Sequence, residues 1–344
     1  MTEEQSTASY LSVAMTTTSM TQTTGVNTMA PTSPRGFEFY FYCAVLIIGV
    51  VGTATNGLIL YALVVSKQHK KHPLIVNQNI LDLTSSFAMI ITYSVKLCNP
   101  YLTGPFGKFL CVMMDGDNLI WWANSGAVVN LAGITVERYL KVVYPIWSKN
   151  KLRKWVIYLA IGISWIMANV SCVSNVASKY RASAVKDGIC FSRHGFVSNV
   201  DKVIYAIWDV FSFYFVIIFI FVFCYSRILA VVRRQARVMA GHGAAGSSAG
   251  QAQSNQIQNN IIKTVVLVGV LYAISWLPMY IAAILIYVYP YALPGVTRHR
   301  MYFTTVFVGY SYMCTNPFIY ATKFDPVKQV LLRMIPCKKA NQAV

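Results

Sequence analysis

Glu137-Arg138-Tyr139 closes a long apolar run, and a guanidinium in such a place does one kind of chemistry well: it exchanges hydrogen-bond partners. Burying that charge costs free energy unless a partner stands near, so Arg138 is either a two-position switch or an interfacial arginine snorkelling to the headgroups. Asp82 and Asp209 are read as the acids set well inside apolar runs. A carboxylate there costs about 3 kcal/mol on insertion scales and marks function by default. For Asp82 the plain alternative is a protonated packing residue bonded to Asn56. For Asp209, about one turn inside its run, it is a carboxylate solvated by headgroups or paired with Lys202. Covalent or metal chemistry lacks its parts. His69, His72, His194, His242 and His299 all fall in loops, and the eight cysteines form no C-x-x-C pair. The expectation is a chain that is no enzyme and holds no metal centre.

The elements that position these residues follow from composition. Of 344 residues 56% are hydrophobic and 12% charged, against about 25% charged in soluble proteins, and the mean hydropathy is +0.50. A hydrocarbon layer of about 30 Å takes about 20 helical residues. Seven runs are long enough: Tyr40 to Val65, Leu74 to Leu97, Leu110 to Val143, Trp155 to Ala177, Val203 to Leu229, Ile261 to Tyr289 and Phe303 to Thr322. Lipid offers the backbone no water, and runs of this length without two-residue alternation are helices. An all-α membrane protein, a seven-helix bundle with its termini on opposite sides, is predicted.

The net charge of +18 raises nucleic-acid binding as a function, and its placement argues against it. Nineteen of the 29 Lys and Arg lie in Lys67 to Lys71, Arg138 to Lys154, Arg227 to Lys263 and Lys323 to Lys339, which makes those segments cytoplasmic and anionic lipid the neighbour. The N-terminus is then outside. No basic start with a short apolar run and cleavage site precedes the first span, which is expected to carry the targeting signal. Residues 1–36 contain fifteen Ser and Thr and read as a disordered, extracellular, O-glycosylation-competent tail. The bundle spans 37–323. It includes a cytoplasmic linker at 233–260 whose Gly241 to Ser254 stretch suits flexibility. In 324–344, Val327, Val330, Leu331, Met334 and Ile335 recur at helical spacing beside Lys328 and Arg333, an interfacial eighth helix ahead of Cys337. Asn169-Val170-Ser171 fits the N-glycosylation pattern but lies in a span, so it is expected unmodified.

Order and spacing of the polar landmarks add a family. Asn56, Asp82 within Leu81-Asp82-Leu83, Glu137-Arg138-Tyr139 with Pro145-Ile146, Trp165, Tyr225, Ser275-Trp276-Leu277-Pro278, Asn316-Pro317-Phe318-Ile319-Tyr320 and Phe324 occur in sequence, each on its own span or just after it. This resembles the rhodopsin-like (class A) family of G-protein-coupled receptors, over Tyr40 to Cys337. The chain departs from the pattern in lacking prolines after Trp165 and in mid-fifth span, in Tyr272 below Trp276, and in the 27 positions between Cys111 and Arg138 where 25 is common.

The resemblance implies a receptor that promotes nucleotide exchange on a cytoplasmic heterotrimeric G protein, at the plasma membrane. A seven-helix transporter or channel is the alternative. The implied activation switch comprises Glu137, Arg138, Tyr139, Tyr225, Trp276, Pro278, Asn316, Pro317 and Tyr320, with Arg138, Pro145 and Ile146 toward the G protein. Many relatives latch the closed state with an acid at the foot of the sixth helix. Here no Asp or Glu lies between Asp209 and Asp325, Gln258 stands near the expected place, and raised basal signalling is expected. Asp82, Asn56 and Asn316 would form a polar core open to sodium, although Ala127, Tyr312 and Met313 stand at positions that often supply oxygens. Ile120 in place of an amine-binding Asp, and no lysine in the body of the seventh span, argue against monoamines and retinal. Ile120, Trp121, Asn124, Asp209, Phe213, Trp276, Tyr280 and Tyr310 are ligand-pocket candidates. The outer-loop basic residues Lys179, Arg181, Lys186, Arg193 and Lys202 favour an anionic ligand or acidic peptide, or are a solvated surface. Cys111 and Cys190 are the expected disulfide, with Cys98 the competing partner. Cys43, Cys172, Cys224 and Cys314 are expected as buried thiols. Cys337 is a lipidation candidate, and arrestin would have to use Ser247, Ser248 or Ser254.

Overall fold

The computed structural model describes residues 36–191, 195, 198–241, 249–289, 294–323 and 325–334. The first span is α1 (Gly36–Val65) and the second α2 (Pro73–Cys98). The outer helix α3 (Gly104–Asp115) leads into α4 (Asn118–Val143), the third span, and an inner helix α5 (Pro145–Lys151) into α6 (Lys154–Ala182), the fourth. A hairpin, β1 (Ala184–Lys186) and β2 (Ile189–Phe191), precedes α7 (Asn199–Val210), a π-turn (Phe211–Phe215) and α8 (Val216–Gly241), together the fifth span. The sixth is α9 (Ala249–Val288), the seventh α10 (Gly295–Tyr312) with α11 (Thr315–Lys323), and α12 (Asp325–Met334) follows. Six of the spans are helices long and apolar enough to cross a membrane, while the seventh is divided by a turn.

Burial orders the bundle. In the most apolar stretches of α2 and α4, 61% of residues are buried, against 11% in α6. The two helices rich in internal polar groups are therefore the axis, and α6 shows its side chains to lipid. Exposed Ile47, Leu58, Ile163, Phe219 and Ile274 belong to such outward faces. On the inner side, Val327 of α12 is fully buried in a cluster with Ile59, Leu63, Leu74 and Ile134, while Lys328 and Arg333 are exposed. This is the two-faced surface its spacing predicts.

Five departures from the sequence reading stand out. The third run does not cross as one helix from Leu110: it breaks at Gly116 and Asp117, whose φ of 53° is a left-handed conformation that a short polar side chain tolerates. The fifth lacks a proline and takes its irregularity from the π-turn instead. In the seventh, the turn at Met313 and Cys314 lies one helical turn ahead of Pro317, where the ring removes a backbone donor. The linker at 233–260 is helical over 233–241 and 249–260, extending the fifth and sixth helices beyond their apolar runs. Segment 145–151, read as loop, is α5, with Pro145 at its first position. The 1–35 tail, Phe324, Ile335, Cys337, Ser247 and Ser248 lie outside the described residues.

Candidate functional site

Asp117 organises the outer end. Its buried carboxylate accepts from Tyr93 Oη at 2.9 Å and Tyr310 Oη at 3.0 Å on Oδ2, and pairs with Lys96 Nζ at 2.6 Å on Oδ1. Three donors from the second and seventh spans thus meet one acid of the third, enough to offset the desolvation of a lone charge. Lys179 of α6 is also buried here, its ammonium against Gly116, where a Cβ would overlap it. It therefore belongs to this knot rather than to an exposed basic field, whereas Arg181 and Lys186 are exposed and Arg193 lies outside the described residues. Cys111 is bonded to Cys190, tying α3 to the hairpin. Asp187 and Gly188, with φ of 51° and 75°, make the two-residue turn, and the Tyr101 ring occupies the space a Cβ on Gly188 would need. Cys98 is a free, exposed thiol, and of the four cysteines expected buried only Cys224 is fully so.

Below the knot lies an aromatic floor. Trp276 is fully buried, 5.6 Å from Trp121 ring to ring, and sits on Gly309, where a Cβ would approach its ring to 3.0 Å. Tyr310, next to that glycine, is 6.1 Å from Trp121. The seventh span thus connects Asp117 directly to Trp276. Tyr272 donates to Phe213 O at 2.5 Å and Tyr214 to Ala273 O at 3.1 Å, so the hydroxyl that distinguishes Tyr272 from Phe satisfies a carbonyl of the π-turn. Of the pocket candidates, Ile120, Trp276 and Tyr310 are completely buried and Asn124 and Tyr280 nearly so. Trp121, Asp209 and Phe213 are half-buried. The buried side chains among them fill this depth. Asp209 lies close enough to Tyr272 and Tyr280 for its charge to act on both, which places it toward the bundle.

Mid-bundle, Asp82 Oδ2 accepts from Asn316 Nδ2 at 2.8 Å and Oδ1 from Gln78 Nε2 at 3.2 Å. Asn56, the partner the plain reading gave Asp82, donates instead to Gly52 O at 2.9 Å and Met313 O at 3.5 Å. The second is the carbonyl that Pro317, lacking an N–H, leaves open. The network continues outward from Gln78. Asn130 Nδ2 donates to Gln78 Oε1 at 2.9 Å, Asn77 Nδ2 to Asn130 Oδ1 at 2.9 Å, and Trp165 Nε1 to Asn77 Oδ1 at 3.0 Å. Asn56 Oδ1, Asn316 Oδ1 and Ser85 Oγ are buried without a hydrogen-bond partner. Buried oxygens of this kind, together with the Asp82 carboxylate, are the ligand chemistry that a hard monovalent cation or waters would use.

At the inner end Arg138 is buried. Its Nη2 is 3.1 Å from His72 Nδ1 and 3.6 Å from Glu137 Oε2, while Glu137 Oε1 is held by Lys141 Nζ at 2.6 Å. Tyr225 Oη lies 3.0 Å from Thr135 Oγ1, and a Cβ on Gly269 of the sixth span would come within 3.0 Å of its ring. Tyr139 packs edge-on to Tyr144 at 5.8 Å. Pro145 and Ile146 lie on α5, and Ile146 is 79% exposed, a free apolar side chain on the inner face. Tyr320 is on α11 and Gln258 and Ser254 on α9, with side chains outside the described set.

This ladder of landmarks, from Asp82 to Asn316 and down to Arg138, coincides with a known family. Residues 55–320 match the profile described as 7 transmembrane receptor (rhodopsin family). The chain belongs to that family. Among similar proteins, somatostatin receptor type 5 of Rattus norvegicus is 24% identical over 84% of this chain and 76% of its own length. Galanin receptor 2b of Danio rerio is 25% identical over 85% and 73%. Neuropeptide Y receptor type 2 of Mus musculus is 22% identical over 88% and 77%.

In this rhodopsin-family receptor the sequence reading overlooked three things. Asp117 was hidden inside an apolar run, although Asp115-Gly116-Asp117-Asn118 is turn chemistry and the two extra positions between Cys111 and Arg138 mark the break. His72 was set aside as a loop residue and touches Arg138. His299, also set aside, is on α10 and lies 3.0 Å from Glu38. Gln78 and Asn130, which extend the Asp82 network, had the plainest signal: amides in the middle of helices must find partners.

Proposed function

We propose that this rhodopsin-family receptor is a plasma-membrane protein with its N-terminus outside, which binds an extracellular peptide and activates a heterotrimeric G protein. The observation that carries the reading is the run of contacts from the Asp117 knot through Tyr310 and Gly309 to Trp276, built on the same second, third and seventh spans that hold the Asp82–Asn316 pair and the buried Arg138. A ligand entering from outside meets the half-buried Trp121, Phe213 and Asp209, and any shift of Tyr310 moves a residue packed on Trp276. Pro278 and the turn before Pro317 let the sixth and seventh helices bend there. Opening the inner end frees Arg138 beside the exposed Ile146. The peptide class is supported by the similar proteins, named for somatostatin, galanin and neuropeptide Y, together with the exposed Arg181 and Lys186 around the outer mouth. Sodium at Asp82, held also by the oxygens of Asn56, Asn316 and Ser85, a lipid on Cys337 and arrestin recruitment through Ser247, Ser248 or Ser254 belong to the same reading.

One assay tests ligand class and cation together. In membranes of cells expressing the receptor, a panel of peptides and small metabolites is expected to yield at least one peptide that raises guanine-nucleotide exchange. Basal exchange should be lower in sodium chloride than in choline chloride, and Asp82→Asn should remove that difference. A panel in which only small non-peptide metabolites act would reject the ligand class, and equal basal exchange in both salts would reject the cation.

A further inference from the structure

We propose that His72 is the residue that positions Arg138 in the closed state, doing from the start of the second span what no acid on the sixth can do here. The inference rests on the G-protein reading for its output but not for the geometry.

Arg138 is poorly served by its neighbour in sequence. Adjacent helical residues do not face one another, and Glu137 stands 3.6 Å from Nη2 while its other oxygen is held by Lys141 at 2.6 Å. Arg138 Nε is buried without a hydrogen-bond partner. What the guanidinium does have is His72 Nδ1 at 3.1 Å. The backbone that carries the imidazole is anchored at the start of α2. Pro73 opens α2 behind it, and the His72 carbonyl accepts from Ile75 N at 3.1 Å and Val76 N at 3.2 Å. Nδ1 receives the arginine proton only when it carries none itself, so the contact requires a neutral ring.

The surroundings keep it neutral. Burial first and the Arg138 guanidinium second push the His72 pKa down to about 4. Lys141 and Lys71 act in the same direction, and Glu137 opposes them. When Arg138 swings away the ring loses its nearest cation and gains access to water, so the open receptor binds a proton more readily than the closed one. The sign follows by linkage. Lowering the inner pH from neutrality toward 6 favours the state with the higher pKa, which is the open one. If the ring regains its ordinary value of about 6.5, the open population rises by up to about fourfold at pH 6 relative to pH 7.5.

The test uses the full chain purified into lipid nanodiscs, with paired probes at Lys149 of α5 and Lys263 of α9 reporting the separation of the inner ends without any G protein. For the wild type the open fraction should rise between pH 7.5 and 6.0. His72→Gln, whose Oε1 can accept from Arg138 but cannot titrate, should match the wild type at pH 7.5 and stay flat as the pH falls. His72→Ala should be several-fold more open at every pH. If His72→Ala fails to fold, the His72→Gln profile decides alone. A wild-type profile that is flat, or a His72→Gln profile that still responds, would overturn the assignment. GDP release measured after a heterotrimer is added to the same nanodiscs keeps the two readings apart, since a receptor that opens yet speeds no GDP release contradicts G-protein coupling and leaves His72 in place.

Discussion

Asp117→Ala is expected to remove most of the receptor from the cell surface. The substitution leaves Lys96 without its paired carboxylate, and the Tyr93 and Tyr310 hydroxyls buried without their acceptor. Breaking a buried ion pair from one side costs about 3–5 kcal/mol, and each orphaned hydroxyl adds about 1–3 kcal/mol. That rivals the whole stability of an ordinary domain, about 5–15 kcal/mol. Surface immunolabelling should fall at least tenfold, with a matching drop in the melting temperature of the purified protein. Asp117→Asn keeps an oxygen for the two phenols and loses only the charge, so it should fall between. Wild-type surface levels for Asp117→Ala would show that the knot holds nothing together.

Loss of the outer disulfide should be of similar size. The Cys111–Cys190 bond closes a separation of 79 residues, for which chain entropy assigns about 4–5 kcal/mol. It also anchors the hairpin whose Gly188 carbonyl accepts from Leu102 N at 3.1 Å. Cys111→Ser and Cys190→Ser should each reduce thermal stability by this amount, and the double variant should be no worse than either, because a single bond is lost in all three. Cys98→Ser, an exposed free thiol, should be silent. Additive losses from the two cysteines, or a damaging Cys98→Ser, would contradict the pairing.

The spans were legible because hydropathy averages over a helix, and the same averaging hid what interrupts them. Asp115-Gly116-Asp117-Asn118 sits between Met114 and Leu119, so a window of twenty residues still reads as membrane, and the break showed only as two surplus positions before Arg138. The π-turn at Phe211–Phe215 has no composition of its own. Tyr272 of the sixth helix donates to it and its own Tyr214 donates back to Ala273 O, which is a tertiary fact. Landmarks with a fixed order, from Asn56 to Tyr320, gave the family because each keeps its place on one helix. Partner choice across helices was not legible. Asp82 takes Gln78 and Asn316 rather than Asn56, and Arg138 takes His72, because helix rotation and depth decide which side chains meet.

In the proposed function Arg138 is the group that the opened bundle offers to a G protein. The most direct test of that role is GDP release from a purified heterotrimer by the full-length receptor in nanodiscs, comparing the wild type with Arg138→Gln at equal amounts of folded protein. Charge-assisted contacts of a buried arginine are worth about 2–5 kcal/mol. The wild type should therefore speed release above the receptor-free rate even without ligand, and Arg138→Gln should remove that acceleration entirely. A wild type that leaves the receptor-free rate unchanged, or an Arg138→Gln receptor that speeds release as the wild type does, would contradict that role.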